Sequence, residues 1–310
     1  MGSADRLMLL DSASLYFRAY FGVPESTVAP DGTPVNAVRG FLDFIARLVA
    51  DHRPTRLVAC WDDDWRPEFR VAAIPSYKAH RVAERSGAGA VDVEEVPDTL
   101  SPQVPVIIDV LAALGIARVG APGYEADDVI GTLCAAARCP VLAVTGDRDI
   151  FQVVEDARSV RVLYTAAKGV GNAEVVTEDV IAAKYAIPGR AYLDYSVLRG
   201  DPSDGLPGVR GVGEKTAAAL ITNFGTLAGV IAAAAAADAR ITPGVRAKIL
   251  ASLDYLAVAP QVVAVATDCP LPAFDDALPR SPADPAALER LTERWNLGSP
   301  VDRLLAALAG

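Results

Sequence analysis

Histidine is almost missing: the chain has two in 310 residues, His52 and His80. So small a supply disfavours Ser–His–Asp and Cys–His arrangements, and with them acyl-type nucleophilic catalysis. The four cysteines (Cys60, Cys134, Cys139 and Cys269) show no Cys-x-x-Cys spacing, and neither histidine lies near a cysteine pair, which sets a zinc site aside. Cys60 and Cys134 fall inside apolar segments and read as buried free thiols, as in a reducing compartment. Long apolar runs are also lacking. The alanine tract 232–237 is too short to span a bilayer, and the first apolar run breaks at Asp11, unlike a secretory leader. Aromatic residues make up 6%, which together with Ala-rich stretches implies closely packed helices. Positive charge is in short supply: the net charge is −10, which by itself argues against indiscriminate coating of nucleic acid. These absences together imply a soluble cytoplasmic protein, and the lack of a pairing segment implies a monomer.

What the chain does have is carboxylate in tight groups. Nine acids fall into five groups: Asp11; Asp62; Glu125, Asp127 and Asp128; Asp147 and Asp149; Asp201 and Asp204. Three groups directly follow apolar runs, LMLLD ending at Asp11, LVACWD at Asp62 and VLAVTGD at Asp147. Such runs read as buried strands of a parallel sheet, and ligands of open α/β sheets gather outside the carboxyl ends of the strands. The acids are therefore expected to converge on one edge, where like charges would raise one another's pKa unless a cation neutralised them. Oxygen-only ligands point to hard ions, Mg²⁺ or Mn²⁺. Two ions about 4 Å apart would need this many carboxylates, and such pairs serve in-line displacement at phosphorus. Bound ions would locally reverse the charge, so the net total is a poor guide to partners.

Apolar runs at 7–10, 56–61, 140–145 and 160–164 predict strands, with a short one after Gly115. Helical spacing predicts helices over 36–50 and 103–114, and another beginning at GYEADDVIGTL. From about 177 the pattern is nearly all helical. The expectation is an α/β fold with a mostly parallel central sheet flanked by helices over residues 1–176, followed by a helical domain over 177–310. The stretch 62–102, with the flexible SGAGA and the acidic DVEEVPD, reads as a mobile excursion rather than a core element.

Each motif has a bland reading. Glu125 and Asp128, one turn apart, could simply cap a helix; GDRD at 146–149 and GDPSDG at 200–205 are good turn chemistry. Their joint occurrence with three strand ends favours a divalent-metal site. In GLPGVRGVGEKTAAAL (205–220), Gly208, Gly211 and Gly213 precede a helix N-terminus beside Lys215, an anion cradle. It is no nucleotide-phosphate loop, since Glu214 separates the last glycine from Lys215 and no apolar strand precedes. Arg18, Arg70, Tyr77, Lys78 and Arg81 interleave cations with aromatics, as suits a phosphate backbone and an unstacked base, though any one of them could be a solvated surface charge. His80 reads as a surface neighbour, Trp61 and Trp295 as packing, Trp65 as a substrate contact.

With GYEADDVIGTL, VTGDRD and GDPSDGLPGVRGVGEKTA in order, the chain from about Leu7 to Thr267 resembles the bacterial 5′-nuclease family. That family comprises the 5′-3′ exonuclease and flap endonuclease domain of DNA polymerase I and its stand-alone homologues. The resemblance implies a PIN-like core, a helical arch at about 65–102 and a helix–three-turn–helix at about 193–225. It implies one metal site at Asp62, Asp127 and Asp128, with Asp11 and Glu125 assisting through water, and a second at Asp147, Asp149, Asp201 and Asp204. Arg18 and Lys78 would contact the scissile phosphate, with Tyr77 and Arg81 at the arch base. Gly208 to Thr216, with Gly211, Gly213 and Lys215 between, would grip duplex phosphates around a K⁺ ion. The implied activity is divalent-metal hydrolysis of DNA at 5′ ends, flaps and nicks, in primer removal and repair. Two departures stand out. WDDDW offers Asp62 by its preceding aromatic but Asp63 by its spacing to Arg70, and the arch carries an acidic insertion around 83–96. A non-catalytic junction-binding module and an RNA-directed nuclease are the alternatives.

Overall fold

Five consecutive buried residues, Leu7–Asp11, form the strand β1 at the centre of the sheet. The structure, a computed structural model, describes residues 5–84 and 91–310. Its other strands are β2 (Arg56–Cys60), β3 (Val82–Glu84), β4 (Val93–Glu94), β5 (Ala117–Val119), β6 (Val141–Thr145), β7 (Val160–Tyr164) and β8 (Glu174–Val176). Six of them form one sheet in the order β5-β2-β1-β6-β7-β8, parallel throughout except for the antiparallel edge strand β8. The order runs outward both ways from β1, so the chain changes direction between β1 and β6, where a crevice opens at the strands' carboxyl ends. β1 and β6 are apolar on both faces because helices cover both.

The first helices are α1 (Ser12–Gly22), α2 (Asn36–His52), α3 (Glu68–Ala73), α4 (Gln103–Leu114) and α5 (Ala126–Ala136). On one face α2 lays Val38, Phe41, Leu42, Ile45 and Val49, at helical spacing, against Ile107, Val110 and Leu111 of α4. On the other, Val129 and Ile130 of α5 meet Leu9 and Val58. Six helices follow: α6 (Glu178–Tyr185), α7 (Tyr192–Arg199), α8 (Glu214–Phe224), α9 (Leu227–Ala235), α10 (Pro243–Ala251) and α11 (Leu253–Val263). Their buried residues, Tyr192, Tyr195, Ile221 and Val262 among them, join the same apolar cluster as the α5 face of the sheet. Among the described residues no single helix is long and apolar enough to cross a membrane.

Two expectations need correction. The helical domain expected over 177–310 does not keep its last part: α12 (Pro285–Arg294) and α13 (Gly298–Ala309) turn back onto the α/β core. Leu288, Leu297, Val301, Leu304 and Leu308 pack with α2 and α4, covering apolar surface those helices would otherwise expose. Nor is 62–102 a free excursion. Its first part is core, with Arg66, Arg70 and Tyr77 at 6%, 2% and 4% exposure. Among the described residues after Arg81, the segment is the antiparallel β3–β4 pair rather than an arch of long helices. The SGAGA stretch lies outside the described residues.

Candidate active site

Each strand that ends at the crevice delivers an acid by a local device. Asp11 closes β1 and caps α1, its Oδ1 accepting from Ser14 N at 3.1 Å, while Oδ2 accepts from Thr145 Oγ1 at 2.6 Å. After β2, Asp62 Oδ1 accepts from Ala126 N at 2.9 Å, at the N-terminus of α5. After β6, the turn is pinned by Gly146 N to Ser14 Oγ and by Asp147 N to Thr145 Oγ1, both 2.8 Å, and Asp147 Oδ1 accepts from Asp149 N. Asp201 opens a short turn beyond α7 by accepting from Ser203 N at 2.8 Å. Asp204 closes that turn, bound to Arg81 Nη2 at 2.8 Å.

Six of the nine carboxylates, Asp11, Asp62, Glu125, Asp127, Asp147 and Asp201, line one cleft of about 650 Å³ together with Lys78, Arg81 and Trp65. Burial pushes Asp11 up to about 7, with Asp62 and Asp147 adding to the rise against the Thr145 hydrogen bond. Burial likewise pushes Asp62 up to about 6. Asp127, also raised by burial, feels both Asp11 and Asp147 and so links the two halves of the acidic floor. Asp149, behind Asp147, is raised by burial and then by Asp147, Asp204 and Asp201. Lys78 donates to Glu125 Oε1; burial opposes its charge, but Glu125 and its neighbours outweigh burial and hold its pKa well above the usual lysine range.

On the helical side, the turn from α7 to α8 crosses itself closely. Gly208 has φ +62°, and a Cβ there would lie 2.5 Å from the Arg199 carbonyl oxygen. Gly211 is also left-handed, φ +75°. Gly213 differs: at φ −89° it caps α8 with no side-chain hydrogen bond and open space around it. The first N–H groups of α8 therefore face solvent beside exposed Lys215 and half-buried Thr216, as an anion site requires.

Two family profiles cover the chain: "5'-3' exonuclease, N-terminal resolvase-like domain" over residues 6–186, and "5'-3' exonuclease, C-terminal SAM fold" over 187–286. The chain belongs to the 5′-3′ exonuclease family. A 5′-3′ exonuclease of Streptomyces coelicolor is 64% identical over 97% of this chain and 99% of its own length. One of Mycobacterium tuberculosis is 51% identical over 97% of each. DNA polymerase I of M. tuberculosis is 37% identical over 98% of this chain but 32% of its own. Among solved structures, the bacteriophage T5 flap endonuclease in a pseudo-enzyme-product complex with DNA and metal ions shares the fold, with TM-score 0.64 at 17% identity. That match covers 96% of this chain and 99% of the phage chain. The catalytic core of Rad2 with a DNA substrate matches at TM-score 0.60 and 15% identity, over 99% and 93%.

For this exonuclease-family chain, several expected site residues lie elsewhere. Asp128 is turned into the protein, fully buried; Arg70 grips both its oxygens at 2.6 and 2.7 Å, and Glu125 N and Ala266 N donate to it. At the third position of α5 its side chain folds back over the helix end, so the capping reading describes it better than the ligand reading. Arg70 pairs with Asp128 and Glu125 instead of meeting a phosphate, because two buried acids need a cation. Tyr77 is buried, its OH donating to Glu125 Oε2 at 2.7 Å, and presents no face for stacking. Arg81 is half-exposed at the cleft rim. Arg18 lines an adjoining groove with Phe17, Phe21 and Gly169. Asp62, not Asp63, faces the cleft; Asp63 is exposed and sits 3.7 Å from Arg118. Trp65, beside the cleft, donates Nε1 to the Asp92 carbonyl at 2.7 Å.

Among the described residues no three carboxylates converge on one point as their side chains stand. The donor set nonetheless suits hard cations. It is all oxygen, Asp11, Asp127 and Asp149 are raised by burial and then by neighbouring carboxylates, Asp147 among them in each case, and Asp149 Oδ1 is buried without a hydrogen-bond partner.

Proposed function

We propose that this chain hydrolyses DNA phosphodiesters at the 5′ ends of duplexes, at nicks and at flaps, using divalent cations, in primer removal and repair. The observation that carries the reading is the convergence of Asp11, Asp62, Glu125, Asp127, Asp147 and Asp201 on one cleft beside Lys78 and Arg81. Asp62 and Asp127, with Asp11 and Glu125 assisting through water, would hold one Mg²⁺ or Mn²⁺, and Asp147, Asp149, Asp201 and Asp204 a second. Ions held there supply a water of lowered pKa and neutralise charge at the scissile phosphate.

The chain's own residues do the rest. Lys78 has three donors, of which Glu125 and, at 3.4 Å, the Trp65 carbonyl occupy two; the third is left for a phosphate oxygen. Glu125 is held by Tyr77 and Arg70 and so fixes Lys78 at the rim. Arg81 adds a second cation, and Arg18 reaches substrate from the adjoining groove. The open N-terminus of α8, with Gly208, Gly211, Gly213, Lys215 and Thr216 around it, takes duplex phosphates away from the cut. K⁺ was expected there, yet Lys248 Nζ already donates to the Gly211 carbonyl at 3.2 Å, so the ammonium fills that role in this reading.

The test is cleavage of nicked, 5′-flap and single-stranded DNA, and of RNA counterparts, in Mg²⁺, Mn²⁺ or EDTA. The expected result is metal-dependent release from DNA 5′ ends, reduced on the order of 100-fold or more by Asp147→Ala. Binding without cleavage would leave a junction-binding module, and preference for RNA would move the substrate class.

A further inference from the structure

The β3–β4 pair borders the cleft, and strand alternation decides which side chains it shows there. Val91, Val93 and Glu95 are exposed, whereas Asp92, Glu94 and Val96 are half-buried, the period of two of a strand with one face inward. That face is anchored. Asp92 Oδ2 accepts from Arg66 Nη1 at 2.5 Å, and Trp65 Nε1 donates to the Asp92 carbonyl. Arg66, itself buried, also donates to the carbonyls of Tyr77 and Pro75, which ties the anchor to the body. Further along, Glu95 N donates to the Arg81 carbonyl at 2.7 Å, and Thr99 Oγ1 shares a 2.7 Å hydrogen bond with Tyr20 of α1.

Between these attachments Glu94 lines the cleft. It is near enough to Lys78 and Arg81 to feel both cations, and to Asp62 and Glu125 to feel both anions. From 91 to 98 the chain carries Asp92, Glu94, Glu95 and Asp98 and no cation. A DNA single strand carries a negative charge at every phosphodiester. Threading it past Glu94 would press those charges against a carboxylate walled by protein, where screening is weak and the cleft focuses the field. A 5′ end that enters only as far as Lys78 and Arg81 avoids most of that repulsion.

We propose that Glu94, held inward by the Asp92 anchor, is a specificity determinant that favours 5′ ends with few unpaired nucleotides over long single-stranded 5′ flaps. The inference rests on the nuclease reading above and concerns which of its substrates is preferred. Cleavage rates on a nicked duplex and on the same duplex with a long 5′ flap are compared for wild type, Glu94→Gln, Glu94→Lys and Glu95→Gln. Glu94→Gln raises the flap-to-nick ratio about fivefold at low salt, and the gain shrinks as salt is added. Glu94→Lys carries the ratio further, and Glu95→Gln, on the outward face, leaves both rates unchanged. An unchanged ratio in both Glu94 variants, or an equal gain from Glu95→Gln, overturns the proposal. Wild-type protein that cuts neither substrate overturns the nuclease reading instead, and this inference falls with it.

Discussion

Arg70 joins three parts of the molecule through one guanidinium. It binds Glu125 and Asp128 of the α5 end, and donates to the carbonyls of Val262 and Ala264 at the end of α11. Removing it leaves Asp128 without its ion-pair partner in a dry interior and Glu125 with Lys78 and Tyr77, so Arg70→Met should destabilise the protein by about 3–5 kcal/mol, read by urea unfolding. A loss below about 1 kcal/mol would mean the pairing is not what holds them. The acidic floor makes a prediction of opposite sign for pH. In the folded protein Asp11 is raised from 3.8 to about 7 and Asp62 to about 6, and Asp127 and Asp149 are raised as well. The folded state therefore binds more protons than the unfolded state between about pH 4 and 7, and stability falls as pH rises through that window. In EDTA the urea midpoint should drop between pH 5.5 and 8, and Mg²⁺ should restore it at pH 8. A flat or rising midpoint in EDTA would contradict the burial described here. The positions of Asp11, Asp62 and Asp147 were legible in the sequence because an apolar run ending in an acid is a strand end. The roles of Arg70 and Tyr77 were not, because a residue's type does not say whether its partner is a phosphate or a buried neighbour.

At the scale of the element, the turn into α8 separates backbone need from ligand need. Gly208→Ala meets the Arg199 carbonyl at a left-handed φ and should cost about 1–3 kcal/mol in folding stability. Gly213→Ala meets no neighbouring atom and should cost only the small N-cap preference of Gly over Ala, so if the α8 N-terminus grips phosphates it weakens duplex binding with little change in Tm. Lys215→Ala should weaken binding alike for all sequences and lower the salt slope of log K by about 1, measured by fluorescence anisotropy. The glycines and Lys215 were visible from spacing alone. Which glycine needed a left-handed backbone was not, because that depends on the crossing of 199–200 with 208. Likewise the acids at the start of α5 fit both a cap and a ligand, and the fold divides them: Asp128 caps while Asp127 faces the cleft.

At the scale of the molecule, the helical pattern beyond 177 did not reveal α12 and α13 as a cover for α2 and α4, since an apolar stripe does not name the surface it meets. Both family profiles end by residue 286, yet Leu304 of α13 is fully buried against the α/β core. Leu304→Ala should cost about 2–5 kcal/mol while leaving the cleavage rate of folded protein unchanged. A change in kcat would mean the covering helices reach the cleft. The Arg70 junction has a wider consequence. With that guanidinium riveting α11 to the start of α5, and one apolar cluster running from the α5 face of the sheet into the helical half, the helices α6–α11 have no interior separate from the sheet's. Differential scanning calorimetry should accordingly record a single endotherm, and limited proteolysis should release no surviving fragment corresponding to α6–α11.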